Sequence, residues 1–267
     1  MKTNDPNEIK SVVREKYGAL ALQSGSCCGP TNCCGDGSID TSPGEYPQLE
    51  GYLPDADLGL GCGLPTTFAD IKDGEVVVDL GSGAGNDVFV ARRLVGENGF
   101  VVGVDMTEEM INRANDNKAK MGYQNVEFRL GEIENLPVTQ NFADVIISNC
   151  VLNLVPDKKR AFAEIARVLK PGGRFSISDL VVTGPLPEGV RSATALYIGC
   201  IAGASTTAAY LRHISDVGLE RVTIESSKKV ELPEEVLKNY ASESEVKQFL
   251  DSGTEVLSIT VTGYKPR

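Results

Sequence analysis

The chain has 267 residues, enough for one large α/β domain or a core domain with an added lobe. Its net charge of −11 argues against a nucleic-acid substrate, and no apolar run approaches the roughly eighteen residues of a membrane span. Seven cysteines without an apolar leader predict a cytoplasmic protein whose thiols are reduced, catalytic or metal-binding rather than paired as a structural framework.

Asp5 and Pro6 read as the cap and first turn of a helix carrying Ile9, Val12, Val13 and Tyr17 on one face. Residues 24–65 are rich in Gly, Pro, Ser and Cys and read as a loop, and so long a loop in a compact domain is usually functional or disordered. It holds the vicinal pairs Cys27-Cys28 and Cys33-Cys34, then Cys62 within Leu58-Gly59-Leu60-Gly61-Cys62-Gly63. Strand and helix then alternate, with strands expected at 76–80, 100–104, 126–130, 144–148 and 174–178 and helices at 88–94, 107–121 and 158–169. Such alternation predicts a doubly wound, mainly parallel Rossmann-like sheet that binds ligands at the C-terminal ends of its strands.

Past Asp179 the alternation breaks. Helices are expected at 192–201 and 207–217, and late strands at 220–227 and 256–264 flank a helical insertion at 233–250. The order suits a sheet with an antiparallel last strand. It divides the chain into an N-terminal helix with a cysteine-rich substrate or redox segment (1–70), a core (71–183) and a C-terminal substrate lid with the closing strands (184–267).

The stretch Val76-Val77-Val78-Asp79-Leu80-Gly81-Ser82-Gly83-Ala84-Gly85 runs from a buried strand into a glycine turn that lets a ligand approach the backbone. The spacing Gly81-x-Gly83-x-Gly85 differs from the G-x-G-x-x-G of dinucleotide folds, and Asp79 ahead of it would repel a pyrophosphate but bind an ammonium group. Asp105 lies twenty residues beyond Gly85, where a strand-end carboxylate accepts ribose hydroxyls. This arrangement resembles the first motif of class I S-adenosylmethionine-dependent methyltransferases. The resemblance implies that Asp79, Gly81, Gly83 and Gly85 hold the methionine end of S-adenosyl-L-methionine, and Asp105 the ribose. It further implies cofactor contacts from Met106, from Ile133 and Glu134 near the adenine, and from Asn149.

Cys150 stands in Ser148-Asn149-Cys150-Val151-Leu152-Asn153-Leu154-Val155-Pro156-Asp157, above the expected position of the sulfonium, and Cys200 stands where the lid should start. Zinc bound by the loop cysteines is a competing reading, but the spacing is not C-x-x-C and His213 is the sole imidazole. That histidine falls off the Ala208, Leu211 and Val217 face of its helix and is expected to face solvent. Together with the 58–63 stretch, these motifs resemble arsenite S-adenosylmethionine methyltransferases over residues 17–182 and through the Cys200 segment. The resemblance implies that Cys62, Cys150 and Cys200 hold trivalent arsenic as substrate. It also implies that a cysteine among Cys27, Cys28, Cys33 and Cys34 joins a redox disulfide, and that thioredoxin or glutathione acts as reductant.

The chemistry agrees with the resemblance. Trivalent arsenic is soft and thiolates are the soft ligands a protein supplies. A pyramid of three thiolates leaves the arsenic lone pair free to attack the donor methyl with no general base. Two other readings stay open: methylation of a small organic molecule with incidental cysteines, and a non-enzymatic thiol protein that sequesters soft ions. Asp79, the three glycines and Asp105 count against the second, because sequestration needs no donor pocket.

Overall fold

The computed structural model describes residues 5–22, 46–193, 196–197 and 199–267. Cys27, Cys28, Cys33 and Cys34, the redox candidates, lie outside the described residues. The strands are β1 (Val76–Leu80), β2 (Phe100–Asp105), β3 (Val126–Leu130), β4 (Ala143–Asn149), β5 (Leu169–Val182), β6 (Ser205–Thr206), β7 (Glu220–Val230) and β8 (Val256–Tyr264). They form one sheet in the order β3-β2-β1-β4-β5-β8-β7, with β6 against the end of β5. The β3-β2-β1-β4-β5 ladder is parallel throughout, and β8 runs antiparallel to both β5 and β7.

β1 shows why the sheet is buried on both faces. Its alternate side chains point to opposite sides. Val78 and Leu80 join a core with Ile146, Phe162 and Ile177, while Val77 joins another with Phe89, Val101, Val145 and Ile147. Helices cover both sides. α1 (Pro6–Leu22), α2 (Pro65–Phe68), α3 (Asn86–Val95), α4 (Glu108–Met121) and α5 (Lys158–Val168) precede or interleave the parallel strands. α5 buries Ala161, Phe162, Ile165 and Val168 at helical spacing and is capped by the Asp157 side chain, which accepts from Arg160 N at 2.9 Å. α6 (Glu188–Arg191), α7 (Thr207–Ser215), α8 (Glu234–Lys238) and α9 (Glu243–Asp251) belong to the late part of the chain. Val190 of α6, Leu237 of α8 and Val246 and Phe249 of α9 contribute to a third apolar cluster that also takes in Val13 and the three described cysteines.

Three expectations need correction. β5 runs for fourteen residues rather than five, because β8 pairs with it on to Val182 and its start at Leu169 pairs with Ala143 of β4. The helix expected at 192–201 does not reach Cys200, which sits in a turn with φ +62°. α7 buries Tyr210 and Ile214 rather than a face containing Ala208, which is exposed. The reason is polar as well as apolar: the Tyr210 hydroxyl donates to the buried Asp179 carboxylate at 3.2 Å, which draws that edge of the helix inward. His213 is half-buried.

Strand register brings the sheet's C-terminal ends level. Leu80 stands beside Val104 and Ser148, Asp105 beside Leu130, and Asn149 beside Ser178, which itself faces Thr260 of β8. The loops that follow these residues meet above one edge of the sheet.

Candidate active site

Those loops surround an open cleft, and the glycine turn forms one wall. Gly81, Gly83 and Gly85 have φ of +68°, +50° and +99°, a left-handed run that β-carbons disfavour. Asp105 shapes this wall: Oδ2 accepts Gly83 N at 2.9 Å and Oδ1 accepts Thr107 N at 2.9 Å. The Thr107 hydroxyl and the Met106 N–H also bond this carboxylate, so loop donors fix its position on the cleft wall. Asp79 lies under the turn, 2% exposed. Burial drives its carboxyl well above the usual range, and Asp87 and Asp105 add to the shift, so a cation placed there is strongly favoured. Ser82 Oγ and Asn86 Oδ1, both on the cleft wall, are buried with no hydrogen-bond partner. Acid, orphaned polar atoms and glycine cradle together fit the amino-acid end of S-adenosylmethionine.

The remaining cofactor candidates also reach the cleft: Met106, Ile133, Glu134 and Asn149 all line it. Glu134 also has protein partners: its carboxylate pairs with Lys10 at 3.1 Å and its carbonyl accepts from Arg160 at 2.8 Å. Lys10 belongs to α1, which lies over the cleft with Val13 and Tyr17. Arg14 holds it there by donating to Met106 O at 3.1 Å.

Cys62, Cys150 and Cys200 are brought together from residues far apart in the chain, all reduced and at most 4% exposed. Cys150 lines the same cleft directly. Its thiol neighbours those of Cys62 and Cys200 in one buried cluster, so the three form a group with Cys150 in the middle. Among the described residues no three His, Cys, Asp or Glu side chains surround a metal-sized centre.

Local backbone explains how each is held. Cys150 (φ +57°) donates its N–H to Ser178 O at 2.8 Å, and Cys200 (φ +62°) turns its thiol onto Cys150 O at 2.7 Å. A non-glycine residue in this region costs on the order of 1–3 kcal/mol and persists where surrounding contacts over-determine it. Cys62 lies across the strand ends. Asn149 Oδ1 accepts its N–H at 3.0 Å, and Ser258 Oγ donates to its carbonyl.

The thiols are held protonated. Burial pushes Cys62 up. For Cys150 the Cys200 thiol lowers the value, but the Cys62 thiol, burial and the Asp179 carboxylate outweigh it. Cys200 is raised first by the Cys150 thiol and then by burial. Asp179, buried on β5, is itself pushed up to about 7 by desolvation, against the pull of Leu180 N, Lys158 and Tyr210.

Sequence reasoning missed several participants. Tyr17, taken as an apolar helix position, lines the same cleft and feels the thiols of Cys200, Cys150 and Cys62 as well as Asp105. Tyr46 and Asp87 lie on the same wall, joined at 2.8 Å. The one available signal was Asp87 in the first turn of the helix after the glycines.

The pattern that defines the methyltransferase domain family matches residues 71–252. An arsenite methyltransferase of Halobacterium salinarum is 43% identical over 98% of this chain and 68% of its own. One from Mus musculus is 35% identical over 76% of this chain, which spans about half (55%) of the mouse protein. Among solved structures, an arsenic (III) S-adenosylmethionine methyltransferase from Chlamydomonas reinhardtii superimposes with a TM-score of 0.65 at 36% identity, covering 77% of this chain and 68% of that one. A Bacillus subtilis protein with 22% identity and a TM-score of 0.58 shares the fold.

Proposed function

The chain belongs to the arsenite methyltransferase family, and on that premise we propose that it transfers a methyl group from S-adenosylmethionine to trivalent arsenic held by Cys62, Cys150 and Cys200. The observation that carries this reading is the buried group of three reduced thiols with Cys150 on the wall of the donor cleft. When bound, S-adenosylmethionine supplies an electrophilic methyl on a sulfonium.

Each thiol displaces one hydroxide of arsenous acid, and the thiol proton leaves with that hydroxide as water. Protonated, buried cysteines therefore suit the substrate, and no base is required. Held by Cys62, Cys150 and Cys200 through three As–S bonds, arsenic keeps its lone pair, which would take the methyl as a new As–C bond while the electron pair of the broken C–S bond would stay on the donor sulfur. Arsenic passes from the trivalent to the pentavalent state. Attack by a further thiol on the sulfur of one As–S bond forms a disulfide and returns an electron pair to arsenic. Cys27, Cys28, Cys33 and Cys34 are the candidates within the chain for this exchange, and a thioredoxin-like protein or small thiol such as glutathione resets the disulfide. The chain's own part is alignment and exclusion of water: Cys150 and Cys200 are held in fixed left-handed conformations, and Val13 and Tyr17 of α1 cover the cleft.

The test is substitution of single thiols under anaerobic conditions with labelled donor. Cys150→Ser and Cys200→Ser replace a soft ligand by a hard hydroxyl of similar size and should each lose methylation of arsenite while still binding S-adenosylhomocysteine. X-ray absorption of the wild-type complex should show three sulfur neighbours. Full arsenite methylation by a folded Cys150→Ser variant would overturn the arsenic site and favour an organic substrate.

A further inference from the structure

We propose that Tyr46, Asp87 and Asn149 form a positioning clamp through which an occupied donor cleft organises the arsenic site, so that donor and trivalent arsenic bind with positive coupling. The proposal rests on the arsenic reading above. Its basis is the hydrogen bonding of one amide. Asn149 ends β4, so Cys150 follows it directly, and its side chain also holds Cys62. Oδ1 accepts from Cys62 N at 3.0 Å and from Gly63 N at 3.3 Å. Nδ2 donates to Gly63 O at 2.9 Å and to Asp87 Oδ2 at 3.0 Å, and meets the Tyr46 hydroxyl. Two backbone N–H donors on one side and carbonyl and carboxylate acceptors on the other leave the amide a single orientation.

Tyr46 closes the group. Its hydroxyl donates to the Asp87 carboxylate, 2.8 Å from Oδ2, and stands 3.2 Å from Gly63 O. The Cys62 loop is pressed onto these side chains: a Cβ added at Gly61 would lie 2.9 Å from Asn149 Nδ2. Apart from this clamp, Ser258 bonds the Cys62 carbonyl, and no strand or helix encloses the cysteine. The placement of Cys62 against Cys150 therefore depends on Asn149.

The same three side chains line the donor cleft with Asp79. A ligand filling the cleft packs against them and restricts their motion. Tightening their hydrogen bonds holds the Cys62 backbone in register with Cys150, so that arsenic meets thiols already placed. By linkage, arsenic bound to Cys62 must tighten donor binding by the same factor.

The experiment measures arsenite binding by anaerobic equilibrium dialysis, with and without saturating S-adenosylhomocysteine, and the reciprocal titration as a check. In the wild-type protein the product analogue should tighten arsenite binding by about fivefold or more, at the lower end of typical couplings. In Tyr46→Phe and in Asp87→Asn the ratio should fall toward one. A merely structural role would weaken both arsenite affinities alike and leave the ratio unchanged. Either variant alone carries the test, and thermal unfolding verifies that it is folded. A wild-type ratio of one, or a wild-type ratio retained in the variants, overturns the clamp. Arsenite binding that survives Cys150→Ser unchanged would instead overturn the arsenic reading itself.

Discussion

Gly81→Ala probes the junction between the two halves of the site. Gly81 has φ +68°, and a β-carbon built on it would lie 2.5 and 2.6 Å from the two γ-carbons of Val151 and 2.9 Å from its Cβ. The left-handed backbone costs an alanine roughly 1 kcal/mol relative to glycine. Overpacking adds about 1–3 kcal/mol, because a contact with Cβ is not relieved by rotating the side chain. The expected loss is therefore roughly 2–4 kcal/mol, read from urea unfolding. Relief requires Val151 to move, and Val151 follows Cys150, so arsenite methylation should fall further than S-adenosylhomocysteine binding does. Val151→Ala in the same chain removes the two closest contacts and should recover much of the overpacking share, leaving the backbone cost. Wild-type stability and methylation in Gly81→Ala, or no recovery in the double variant, would refute the reasoning.

Asp179 gives a pH-dependent prediction. Its carboxyl is pushed up to about 7 by burial in the folded chain, while the unfolded chain holds it near the ordinary carboxylate value. The folded state then binds the proton more tightly, so this group's stabilising contribution is complete below about pH 4 and is lost as pH rises toward 7. Asp179→Asn should raise stability at pH 8 by up to about 4 kcal/mol and have much less effect near pH 4, measured by denaturant unfolding at both values. Equal effects at the two values would show that Asp179 is not held protonated. For the donor, S-adenosylhomocysteine at about a hundred times its Kd should stabilise the wild-type chain by about 2.7 kcal/mol with no arsenic present. Asp105→Ala should abolish most of that gain, since it removes the ribose acceptor and frees Gly83 N and Thr107 N. Undiminished stabilisation would remove the ribose assignment.

By itself the sequence determined the parallel core. β1 and β8 fall where alternating and β-branched residues place them, and the helix expected at 158–169 is α5 to within a residue. These features arise from interactions between near neighbours in the chain, whose period is written in the residues themselves. The glycines and acids of the donor cleft were legible for the same reason, since strand, turn and helix follow one another directly. Local pattern could not show that Asn149, read as a cofactor contact, holds Cys62, or that Tyr17 lines the same cleft as Cys150. Nor could it show that β5 continues to Val182, because that length is set by β8, some eighty residues later. Locally, Cys62 reads as part of a glycine-rich loop, Cys150 taken alone as a small apolar residue at a strand end, and Cys200 as part of an expected helix. Only the register of β4, β5 and β8 sets Asn149, Ser178 and Thr260 in one row, and the Cys62 loop settles across it. Contacts between residues distant in sequence carry no period along the chain, so the tertiary structure alone decided how the thiols meet.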